Sequence, residues 1–167
     1  MSSPDLLRRV VLPIASRDDA RDTCQAALPY VANANGEAIA VYVVETTPSG
    51  MNKASPVALK EHGDRALEIV EERGEEYAIP VRTEIRYGPV VREAVFDVAR
   101  SEEATSIGFL PRAGSRIRKL LGGDKALSLI TRNDLPVVVF PREAPLAEGM
   151  REEAAWGWYR TYVKHPR

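Results

Sequence analysis

Cysteine and histidine are scarce in this chain: it has one of the first, Cys24, and two of the second, His62 and His165. A single cysteine excludes an internal disulfide and any zinc site built from several cysteines, and it suits a reducing compartment. Cys24 stands in an Ala/Leu-rich helical pattern, which reads as a small core residue and not a reactive thiol. A hydrolase needs a base placed near a nucleophile or water. Neither histidine lies in a motif of that kind, and Ser115 and Ser128 have no activating partner in sequence. Long apolar runs are also absent, so no stretch approaches a membrane span, and the N-terminus lacks the apolar core of a signal peptide. No sign of charge dominates, with 23 Lys plus Arg against 24 Asp plus Glu, so no global field draws the chain to nucleic acid or anionic membrane. The expectation is a cytoplasmic, non-enzymatic protein without a metal or membrane insertion.

What is present suits one α/β domain with a sizeable core. The chain has 167 residues, 44% hydrophobic and 28% charged. Residues 8–15 and 37–45 contain nearly continuous apolar runs of strand length, as in strands covered on both faces. Between them, Ser16, Asp18 and Asp19 offer helix-start oxygens to a helix predicted over residues 18–35. Pro29 should kink or shorten that helix, and Gly36 is its natural stop.

Residues 46–56 form a Thr-, Pro-, Ser- and Gly-rich loop. An amphipathic helix is predicted over residues 57–77, with Glu68, Glu71, Glu72, Glu75 and Glu76 as a solvated face. Residues 79–87 alternate with a period of two, which predicts a strand with one wet face, at a sheet edge. Gly88-Pro89 should stop it and start a helix over residues 89–102. Strands follow at 104–110 and 135–140. The β-α-β-α-β-α-β-α-β order predicts a doubly wound five-stranded parallel sheet with helices on both faces. Residues 1–143 make that domain. Residues 144–167, with Trp156, Trp158, Tyr159 and Tyr162, form an aromatic tail that packs on the domain or on a partner.

The stretch 108–125 is Gly-containing and basic, with Arg112, Arg116, Arg118, Lys119 and Lys125 opposed only by Asp124. Gly122-Gly123 precede a helix predicted over 124–131, so bare N–H groups and a helix dipole could meet an anion there. The bland alternative is a turn with a solvated basic face, and Asp124 favours it by capping the same N–H groups. Nucleic acid is an unlikely partner, because the aromatics that would stack bases lie in the tail.

These elements in this order resemble the universal stress protein family over residues 8–141. The residues that carry the resemblance are Val10-Val-Leu-Pro-Ile, Tyr42-Val-Val, Gly88-Pro89, and Leu120-Leu-Gly-Gly leading to Leu135-Pro-Val-Val-Val. The resemblance implies a strand order 3-2-1-4-5 and a homodimer through the last strand, here Val137, Val138, Val139 and Phe140. In one subgroup it also implies an adenine nucleotide at the strand C-terminal ends, where such an order places its topological switch point.

This chain departs from the nucleotide-binding pattern at three places. Ala15 stands where that subgroup has an acid after the first strand. Its Gly-x-x-Gly falls either on Gly108 and Pro111 or on Leu110 and Ala113. Gly122 matches a Gly-(Ser/Thr) step, but Gly123 replaces the hydroxyl residue. The expected site is therefore degenerate, lined by Pro13, Ile14, Ala15, Ser16, Val43, Gly108, Arg112, Gly114, Gly122, Gly123 and Lys125. No cofactor is required by these residues, and ATP or AMP is the candidate ligand. The alternative is an interaction module that binds no nucleotide and works through its dimer surface, basic loop and tail.

Overall fold

The structure is a computed structural model that describes residues 5–46, 55–110 and 135–141. The Gly- and Arg-rich stretch from residue 111 to 134, most of the 46–56 loop and the aromatic tail lie outside the described residues. The element order is β1 (Arg9–Ile14), α1 (Arg17–Asn33), β2 (Glu37–Glu45), α2 (Pro56–Glu76), β3 (Val81–Gly88), α3 (Val91–Ser101), β4 (Ser106–Phe109) and β5 (Val137–Val139). All pairings are parallel, and the sheet order is β3-β2-β1-β4-β5. The expected fold and strand order are both present, and β3 is the edge strand that its alternation predicts.

The apolar runs explain the central strands. Val10, Leu12 and Ile14 of β1 join Ala38 and Ala40 of β2 and the inner faces of α1 and α2 in one core. Val11, Ile39, Val41 and Val43 point the other way, against Val95, Phe96, Val98 and Ala99 of α3. Both faces of the sheet are thus covered, as an all-parallel sheet requires. Cys24 is fully buried in the first core, as its helical setting predicts. The five glutamates predicted as the solvated face of α2, Glu68, Glu71, Glu72, Glu75 and Glu76, are exposed.

Three local findings refine the expectations. First, α1 runs through Pro29 and ends four residues later at Asn33, two residues before the predicted end. The hydrogen bond that proline forfeits is the one to the carbonyl of Gln25, an exposed residue whose oxygen water can satisfy. Second, the left-handed residue that closes α1 is Asn35, at φ 50°, not Gly36. Gly36 follows it, donates its N–H to Val31 O at 2.9 Å, and passes so close to the chain that a Cβ there would lie 1.9 Å from Leu7 O. Third, Pro89 is not the first residue of α3. Val90 is the cap, in an extended conformation and without a side-chain hydrogen bond, so Pro89 lies outside the helix.

Candidate functional site

β1 lies between β2 and β4, so the chain leaves β1 toward one half of the sheet and returns through β4 in the other. The crevice beyond their C-terminal ends is the switch point of the sheet. The register Val10↔Ser106 and Val11↔Ile107 brings the end of β1 beside the segment Phe109-Leu110. Ala15 and Ser16 are exposed at that end, Pro13 is half-buried and Ile14 is buried.

The start of α1 is closed by its own side chains. Ser16 is the cap, with an extended backbone, and its Oγ accepts from the Asp19 N–H at 3.1 Å. Asp19 answers in the other direction: its Oδ2 accepts from the Ala15 N–H at 2.6 Å, and the Thr23 hydroxyl lies 3.4 Å from its Oδ1. This is the logic of a capping box shifted by one residue, since the third helical residue reaches back past the cap. The carboxylate is 8% exposed. With Asp18 also in the first turn, the positive end of the helix dipole is already met by negative charge. The backbone donors here are therefore poorly placed to take a phosphate. Sequence reasoning identified the helix-start residues but not the reach of Asp19 to Ala15; the Ser-x-x-Asp spacing was the available signal.

Two other predicted site residues are core residues. Val43 is buried in the cluster against α3. Gly108 lies inside β4, opposite Val138, and is buried. A Cβ at Gly108 would meet Phe140 Cε2 at 2.7 Å, Leu12 Cδ2 at 2.9 Å and Val10 Cγ1 at 3.0 Å, so the space beside this glycine is filled by the core. Arg112, Gly114, Gly122, Gly123 and Lys125 lie outside the described residues.

The titratable groups with chemical potential lie away from the crevice. Burial pushes the Cys24 thiol up to about 12, which keeps it protonated. His62 is exposed on α2. Among the described residues, no group of three or more His, Cys, Asp or Glu side chains could hold a metal ion.

Residues 7–141 match the Universal stress protein family. A universal stress protein of Methanocaldococcus jannaschii is 26% identical over 141 residues, which cover 81% of this chain and 82% of that one. A crystal structure of a protein from the universal stress protein family of Burkholderia pseudomallei shares the fold with a TM-score of 0.60 and 19% identity, over 80% of this chain and 96% of that one. The universal stress protein from Archaeoglobus fulgidus in complex with dAMP has a TM-score of 0.54 and 15% identity, over 81% of this chain and 98% of that one.

Proposed function

Because this chain belongs to the universal stress protein family, we propose that it is a non-enzymatic sensing or scaffolding module of the stress response, with a degenerate site for an adenine nucleotide. The ligand is of the AMP or ATP type and sits in the crevice beyond β1 and β4. The observation that carries the reading is the hydrogen bond from the Ala15 N–H to Asp19 Oδ2, 2.6 Å long, at the mouth of that crevice. The position after β1 has no side-chain acceptor for a base, and the nearby backbone donor is already engaged. Binding energy then rests on shape and on the basic segment after β4, so affinity is low. A relative of the same fold holds dAMP, which supports an adenylate as the class of ligand. The buried, protonated Cys24 and the exposed position of His62 on α2 support a role without catalysis.

The module acts as a cytoplasmic homodimer through β5. Ile107 N–H donates to Pro136 O and Phe140 N–H to Phe109 O, so the alternate residues Val137 and Val139 turn their N–H and C=O groups to the free edge. Val139 is 54% exposed there, an apolar edge that a second copy would cover. No described helix is long and apolar enough to cross a membrane.

The occupied start of α1 also favours a second reading, an interaction module that takes no nucleotide. Calorimetric titration with AMP and ATP, together with analysis of nucleotide released on denaturing the purified protein, separates the two. Weak binding heat with AMP or ATP is expected. No heat at millimolar ligand and no released nucleotide would leave only the second reading.

A further inference from the structure

We infer that the free edge of β3 is a self-association surface, where a second copy of this chain adds its own β3 in antiparallel about a two-fold axis through Ile85, with the two α2 helices side by side. This surface is at the opposite end of the sheet from β5 and is independent of the nucleotide site.

The backbone supplies the first argument. Among the described residues β3 pairs only with β2, and its other edge has no partner. The bonds from Ala38 N–H to Pro80 O at 3.0 Å and from Thr46 N–H to Gly88 O at 2.9 Å fix the phase of the ladder. In a parallel pair a residue turns both of its backbone groups to the same side, and its neighbour turns both to the other. Arg82, Glu84 and Arg86 therefore bond to β2, while Thr83, Ile85 and Tyr87 present free N–H and C=O groups. These three are good strand residues with neither proline nor charge among them; the charges of β3 stand on the alternate residues Arg82, Glu84 and Arg86, so they discourage a partner only where like charges would meet.

Charge selects the register. With the axis at Ile85, Glu84 of each copy faces Arg86 of the other, and Thr83 faces Tyr87. Within the chain Glu84 and Arg86 are already 2.6 Å apart, so pairing makes an alternating four-charge cluster. An axis at Glu84 or at Arg86 would instead set like charges face to face, which is destabilising. An axis at Thr83 would call on Arg82, which is held by Glu102 at 2.6 Å.

The helix layer fits the same operation. An open groove of about 590 Å³ runs along the outer side of α2 above the edge strand, lined by Lys60, Asp64, Glu68 and Glu71 with Thr83 and Ile85. α2 packs on both β2 and β3. With strands about 4.8 Å apart, a helix seated over the last two strands meets its symmetry copy at roughly 10 Å, a normal packing distance. Glu71 marks the level of Thr83 through their 2.7 Å hydrogen bond; α2 runs antiparallel to β3, so Lys60, about 16 Å back along the helix, comes near the level of Tyr87, about 13 Å further along the strand. Since Thr83 faces Tyr87 of the second copy, Glu71 comes level with Lys60 of the second copy. Tyr87, 53% exposed, is covered in the process.

The test uses the full chain. Cys24 is buried, so a thiol placed on the edge is the accessible one. Under mild oxidation Ile85→Cys should give a covalent dimer, because residues facing across the axis are about 5.5 Å apart at Cα, within disulfide reach. Thr83→Cys, which faces residue 87, should give little. No covalent dimer with Ile85→Cys, or equal yields from both, overturns the inference. A second measurement does not depend on cysteine chemistry. In a Val139→Arg background, which blocks β5, sedimentation should still show self-association; Glu84→Arg should weaken it by about tenfold or more, and Glu84→Arg/Arg86→Glu should restore it. A Val139→Arg chain that is monomeric at tens of micromolar, or one indifferent to Glu84→Arg, equally overturns it.

Discussion

The ring of Phe140 occupies the space that a side chain at Gly108 would need, with Cε2 only 2.7 Å from where a Cβ would sit. Leu12 and Val10 close the same space from β1. Gly108 therefore holds β4 against the core, and its substitution acts on stability. Gly108→Ala should cost roughly 1–3 kcal/mol, because an overpacked core must shift side chains off their preferred rotamers. Urea unfolding should show a lower midpoint at unchanged slope. The cost should shrink in a Phe140→Leu background. A Gly108→Ala protein as stable as the parent would show that the core yields freely at this point.

Much of the fold was legible because its signals are local and redundant. The runs around Val10–Leu12 and Ala38–Val44 could only be strands covered on both faces, and Ser16 announced α1. β3 was recognisable as an edge from its alternating Arg and Glu residues. The helix ends were not legible. Asn35, Ala78 and Glu103 all take a left-handed conformation, with φ of 50°, 54° and 51°, yet only the asparagine has any preference for it. Each closes its helix with the same pair of bonds. For α2 these are Ala78 N–H to Glu75 O at 3.0 Å and Ile79 N–H to Gly74 O at 3.0 Å.

That geometry makes a stability prediction. Ala78 bears the steric cost of the left-handed conformation at an exposed position where nothing needs its methyl group. Ala78→Gly should relieve a cost of about 1 kcal/mol, partly offset by the greater freedom of glycine in the unfolded chain. A net gain of a few tenths to about 1 kcal/mol, read as a raised melting temperature, is expected. A fall in melting temperature would mean that the entropic cost of glycine dominates.

The candidate site was less legible than the fold, and Ala15 shows why. Its side chain says only that an acid is missing. Whether the nearby backbone donor is available depends on Asp19, whose carboxylate reaches back across the first turn of α1. Gly108 misled in the opposite direction, since a glycine near a strand end reads equally as an opening for a ligand or as room for a ring.

At the N-terminal end of the sheet, Glu37 is a hub. It accepts from Arg9 Nε, lies 3.7 Å from Arg82 NH2, and Arg82 in turn binds Glu102 at 2.6 Å, while Arg9 donates to the Glu102 carbonyl at 2.9 Å. The Glu37 hydrogen bond and charge raise the Arg9 pKa. Three strands and the end of α3 are tied by this set. Glu37→Gln leaves two guanidinium groups side by side, and should lower the melting temperature by a few degrees. The loss should shrink at high salt, because the groups are partly exposed and screened. A difference that is unchanged by salt would assign the effect to packing and not to charge.

Cys24 gives the protein an alkaline weak point. Burial lifts its pKa from an ordinary value of 9.0 to about 12 in the folded state. Below pH 9 the thiol is protonated in both states, and its contribution to stability is complete. Above pH 9 the unfolded chain releases the proton while the folded chain retains it, so unfolding is favoured by about 1.4 kcal/mol for each pH unit until the folded thiol itself titrates near pH 12. Lysines and tyrosines titrate in the same range, so the informative quantity is the difference between the parent and Cys24→Ala. The Ala variant is less stable at neutral pH, because it loses a buried sulfur. The gap between the two proteins should then narrow as pH rises from 9 toward 11. In the native protein at pH 8 the thiol should resist a soluble thiol reagent and should react only at the rate at which the chain opens. A constant gap across that pH range, or rapid labelling of the folded protein, would place Cys24 in contact with solvent.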